Sequence, residues 1–121
     1  MALILAYQDR GKTIDITIED ADGEAIIPQS NDKIRAIIGR EGLLGSALAD
    51  ALFVVTSDAA TANGSSFTKN SPSSGVNRLR LDAGDLGFDP GTYTLFVEYY
   101  DNADVQEWKN VSRQVFVLRE T

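Results

Sequence analysis

The chain reads as an all-β protein, an antiparallel sandwich of short strands, and three observations say so. Thr13-Ile-Asp-Ile-Thr-Ile-Glu19 alternates strictly, setting Ile14, Ile16 and Ile18 on one face. A Pro90-Gly91 turn runs straight into a second alternating stretch, with Tyr93, Leu95, Val97 and Tyr99 on one side. Elsewhere short apolar runs are separated by regular turn signals, and helical periodicity is almost absent. The crossing Leu81-Asp-Ala-Gly-Asp-Leu86, the turn, and a tyrosine just inside the next strand have the layout of a tyrosine corner. Pro90, Gly91 and Tyr93 are therefore the expected structural corner of an immunoglobulin-like β-sandwich, one domain over residues 1–121.

In order, Ala2 to Ala6 is an unalternating apolar run, suited to a strand covered on both faces. The alternating Thr13–Glu19 strand leads into Asp20-Ala-Asp-Gly23, a hairpin signal. Glu24 to Ile27 returns and stops at Pro28. Lys33 to Gly39 is the next strand, with Ile34, Ala36 and Ile38 on one face. A glycine-rich excursion follows over 39–45, then a helical turn at 46–50. Ala51 to Thr56 is a strand. The polar loop of residues 58–74 holds a short strand near Ser66 to Lys69. Val76 to Leu81 points Leu79 and Leu81 inward and Arg78 and Arg80 outward. Beyond the corner strand, Val105 to Glu120 forms the last hairpin arm, with Trp108 and Val115-Phe-Val-Leu118.

Composition narrows the function classes. With 121 residues the chain can bury a full core without staples. It has no cysteine and no histidine, which removes disulfides, thiolate metal sites and every Ser-His or Cys-His dyad. No cofactor is expected, and no enzyme. A formal charge of −7 repels phosphate backbones, and Arg78 with Arg80 reads as a solvated strand face, so no nucleic-acid partner is expected. No apolar run has the length to span a bilayer, and Met1–Ala6 lacks the features of a secretory signal. The expectation is synthesis in a bacterial-type cytosol.

Several patterns resemble sites but favour structural readings. Asp20, Asp22 and Glu24 around Gly23 suggest a calcium loop, yet position twelve of that loop is Asn31 and strands flank it, so a hairpin is expected. Asp101 and Asp104 carry the same ambiguity. Gly39, Gly42 and Gly45 match neither phosphate-binding glycine pattern. The sequons at Asn63 and Asn110 have no consequence without secretion.

One pattern asks for more. Phe96 and Tyr100 point away from the Tyr93 face, and both Val115–Leu118 and Ala2–Ala6 are apolar on both sides. A two-layer sandwich needs one apolar face per sheet. The outer face is therefore covered either by a loop such as 58–74 or by another protein chain. The interface expected on the second reading is Phe96, Tyr100, Phe116 and Leu118, with Leu3 and Leu5 on an adjoining edge strand. The rival functional reading is a carbohydrate- or ligand-binding module stacking on Trp108, Tyr99 or Tyr100.

Gly11-Lys-Thr-Ile-Asp-Ile-Thr-Ile-Glu-Asp-Ala-Asp-Gly23, Ile34-Arg-Ala-Ile-Ile38, Pro90-Gly-Thr-Tyr93 and Arg113-Gln-Val-Phe-Val117 together resemble tailed-phage virion domains of the baseplate-upper-protein N-terminal type. Those domains are immunoglobulin-like sandwiches. The resemblance implies a non-enzymatic structural or attachment subunit of a virion, in tail, baseplate, fibre attachment or capsid decoration. It would work through protein–protein contacts, as a homo-oligomer or within a larger assembly. No catalytic residue is implied. Baseplate upper proteins continue into further domains, whereas this sequence ends at Thr121.

Overall fold

The computed structural model describes residues 3–6, 11–40, 51–58, 61, 64–103 and 107–120. Among these residues ten strands follow in order: β1 (Leu3–Ala6), β2 (Lys12–Ile16), β3 (Ile18–Glu19), β4 (Ala25–Ile26), β5 (Lys33–Arg40), β6 (Phe53–Thr56), β7 (Ser66–Thr68), β8 (Asn77–Leu81), β9 (Gly91–Tyr100) and β10 (Trp108–Arg119). They form a five-stranded sheet β1-β10-β9-β5-β6, a three-stranded sheet β2-β8-β7 and the small hairpin β3-β4. Every pairing among these strands is antiparallel except that of β1, which runs parallel to β10. The protein is all-β and sandwich-like.

Period-two alternation builds the interior. Ile34, Ala36 and Ile38 of β5 and Leu95, Val97 and Tyr99 of β9 face Ile16 of β2, Phe67 of β7 and Leu79 and Leu81 of β8 in one core. Inward leucines and outward arginines on β8 follow the expected pattern. The expected Thr13–Glu19 strand is interrupted at Thr17: its first part joins the three-stranded sheet and its second pairs with β4. Gly23 sits at φ +82° in the turn between them, a conformation that only glycine adopts without strain. The Asp20 Oδ1 accepts from the amides of Asp22 and Glu24 at 2.9 and 3.0 Å, so this carboxylate closes the turn.

The crossing from β8 to β9 is a single 3-10 turn, Ala83–Asp85, capped by the Asp82 Oδ1 accepting from Gly84 N at 2.8 Å. Fully buried Ser65 pins it, donating to Asp85 Oδ2 at 2.6 Å and accepting from Asp82 N at 2.9 Å. Beyond it the Tyr93 hydroxyl donates to the carbonyl of Asp89, and Phe88 meets the Tyr93 ring edge-on at 4.6 Å. The corner bond thus reaches backbone four residues upstream, and Tyr93 is half-buried.

Register corrects the face assigned to the end of the chain. Phe116 pairs with Tyr93 and Leu118 with Gly91, so both share the inner face. Leu5 pairs with Leu118 and follows them inward. All three are core residues with at most 1 % exposure, so they form no outward patch. The mistake is a one-residue choice: in Val115-Phe-Val-Leu118 both faces are apolar, and only the partner strand says which is which. The Leu3 side chain, the glycine loop beyond Arg40, the helical turn at 46–50, Asn63 and Asp104 lie outside the described residues.

Candidate functional site

The outer face of the five-stranded sheet carries the most unusual side chains. Phe96 of β9 lies there, cross-strand from Ile37 of β5 and Arg113 of β10. Phe96 and Ile37 are 0 and 1 % exposed although neither belongs to the main core. The protein's own atoms cover them. Of the two covers open to the sequence, this supports a segment of the same chain over this part of the face.

Towards the end of the sheet the face changes character. Tyr100 pairs with Trp108 on one side and Lys33 on the other, and the next outward position, Glu98, pairs with Arg35. The Arg35 guanidinium meets the Glu98 carboxylate at 2.6 Å, both side chains being largely buried. The same guanidinium lies 4.0 Å from the centre of the Trp108 ring. Tyr100 and Trp108 touch at 5.5 Å between centroids, and the Lys33 ammonium sits 5.8 Å from the Tyr100 ring. Both aromatics remain half-exposed. A guanidinium neutralised by Glu98 and stacked on an indole is held in one place, so it and the rings present a rigid surface.

Of the expected interface residues, then, the structure leaves Tyr100 on an accessible outer surface and joins it to Trp108. Tyr99 is separated from them. It faces inward, 8 % exposed, and donates to Asp32 Oδ2 at 2.6 Å. Asp32 is itself buried, and accepts from Gln29 N at 2.8 Å and Asn102 N at 2.9 Å. Burial alone would raise the Asp32 pKa, but the Tyr99 hydroxyl, the two amides and nearby Lys69 outweigh it and hold the carboxyl below its ordinary value. Burial and the adjacent carboxylate push the Tyr99 phenol up. Lys69 donates to the carbonyls of Gln29 and Ser30 at 3.0 Å each, and to that of Asp32. This network bolts the β4–β5 loop to the sheet ends.

A cleft of about 610 Å³ opens between the β3–β4 hairpin and the ends of β9 and β10, with Ile26, Tyr99 and Val111 among its walls. Among the described residues no group of three acidic side chains is placed to hold a metal ion. On the three-stranded sheet Arg78 is bound by Asp15 at 2.9 and 3.2 Å.

Reasoning from the sequence missed the Arg35–Glu98 pair. Its signal was present, since each charge sits between two apolar neighbours in its strand, but pairing them needs the β5–β9 register. No family model matches the chain, and no curated protein or solved structure is detectably similar to it.

Proposed function

We propose that the chain is a non-enzymatic, immunoglobulin-like subunit of a tailed-phage virion that works through protein–protein contacts. The strand order supports the fold assignment: β2-β8-β7 matches strands B-E-D of that architecture and β10-β9-β5-β6 matches G-F-C with one added strand. Tyr93 then stands at the start of strand F, bonded to backbone upstream, and buried Leu95 stands two residues on, where a disulfide-bearing domain has cysteine. The virion assignment rests on the sequence resemblance. A histidine- and cysteine-free sequence supports the non-enzymatic reading.

The observation that carries the contact reading is the Arg35–Trp108–Tyr100 cluster. Tryptophan, tyrosine and arginine are the residues that dominate interface energies, and these three are fixed in place before any partner arrives. The expected partner is a second copy or a larger virion protein, and the test is the double substitution Trp108→Ala with Tyr100→Ala. The variant should stay folded and lose self-association on sizing, or incorporation into particles. A folded variant that assembles and incorporates like wild type refutes the reading. Carbohydrate stacking on the same rings is the second reading, supported by the adjacency of Tyr100 and Trp108. It ranks lower because Arg35 already occupies one face of the indole. Saturable quenching of Trp108 fluorescence by oligosaccharides would reverse that order.

A further inference from the structure

The first strand is lightly held. β1 is four residues long and pairs with β10 alone, at one end of the five-stranded sheet. Of its three described side chains only Leu5 is fully buried; Ile4 is 36 % exposed and Ala6 half-buried. Leu5 enters the main core beside Leu118, its register partner. One exposed bond adds to this, from the Lys12 ammonium to the carbonyl of Ile4 at 2.5 Å. Were β1 to leave, the strands β10-β9-β5-β6 and the sheet β2-β8-β7 would keep every other pairing. What remains is a bare β10 edge beside a leucine-sized gap, the acceptor that strand addition needs.

The seam between β1 and β10 is also apolar on its outer face. Ile4 lies cross-strand from Val117, and Val115 stands two residues along on the same face. Ile4 and Val115 are two of the three large apolar side chains exposed among the described residues, Val115 at 47 %. We propose that β1 exchanges between two copies of the chain, Leu3–Ala6 of each pairing with β10 of the other in the register seen here. Fit names the occupant: the ladder and the leucine slot are those of Leu3–Ala6 itself. Exchange repeats the β1–β10 contacts of a single copy, so no pairing is lost. It also brings a second body against the seam that carries Ile4 and Val115. This seam lies at the opposite end of β10 from Trp108, so exchange does not rest on the aromatic cluster. Exchange gives a closed dimer, and an aromatic contact between copies would join such dimers.

Paired thiols test this in a chain that has no cysteine of its own. Ala6 and Arg119 are register partners outside the core, so Ala6→Cys and Arg119→Cys are made in separate chains. The two are unfolded together in urea, refolded, oxidised and sized without reductant. Exchange joins one chain of each kind by a disulfide. Its yield should be about tenfold or more above that of Ala6→Cys mixed with Thr68→Cys on the other sheet, because exchange holds the thiols together. The double variant Ala6→Cys with Arg119→Cys, oxidised at high dilution, should close within one chain and so certifies the pair. If it does not close, or a variant does not fold, Ile4→Cys and Val117→Cys take its place as register partners on the same face. A pair that closes within one chain but links two chains no better than the Thr68→Cys mixture overturns the inference. With Trp108→Ala and Tyr100→Ala added to both chains the linked dimer should persist while larger species disappear. Loss of the linked dimer there would overturn exchange as a contact in its own right.

Discussion

At the residue scale, buried polar side chains decide more than their number suggests. Asp32 receives three donors and is 4 % exposed, so truncation leaves a phenol and two amides unmatched. Asp32→Ala should cost on the order of 3 kcal/mol in denaturant unfolding. Because its carboxyl is held below the ordinary value of 3.8, its stabilisation is complete above that pH and is lost as pH falls through the lower folded value. Acid titration of wild type should show this loss, and Asp32→Asn should show it abolished. Tyr93→Phe is the milder case. Its hydroxyl bond to Asp89 lies in an exposed setting, so the loss should be under about 1 kcal/mol by the same measurement. The corner was legible because its turn, crossing and tyrosine are contiguous. The Asp32 network was not, because Gln29, Asp32, Lys69, Tyr99 and Asn102 meet only in three dimensions.

Strands were the most legible elements, wherever one face is apolar and the other polar. Lys33–Arg40 and Asn77–Leu81 fall almost where their alternation puts them. Alternation fails as a guide in β1 and β10, whose apolar runs give no preference between faces. There the ladder decides, and it sends Leu5, Phe116 and Leu118 into the core. Phe116→Ala should therefore cost about 3–5 kcal/mol, with Phe116→Glu failing to fold. Phe96→Ala makes the sharper comparison. Its ring is equally buried on the other side of the same sheet. A loss of similar size in the monomer, read by urea unfolding, would match a cover supplied by the chain itself. A loss appearing only in an assembled form would contradict it.

For the whole molecule, charge and shape set how copies meet. A net charge of −7 opposes self-association, and added salt screens it. If copies meet through Trp108 and Tyr100, sedimentation should show tighter association at higher salt, the reverse of a contact made by opposite charges. Dissociation on adding salt would count against an aromatic contact between copies.

The parallel pairing of β1 with β10 also has a consequence in time. Leu3 to Ala6 leaves the ribosome ahead of every other described strand, and its ladder partner, Phe116 to Arg119, lies in the last of them. Until β10 is made, Leu5 has no slot to enter and the sheet lacks its edge. The first and last described strands close the fold together, a contact of very long sequence separation that pays its loop-closure entropy late. Nascent chains should therefore stay protease-sensitive until β10 clears the exit tunnel, and Leu5→Ala should speed unfolding far more than it slows refolding.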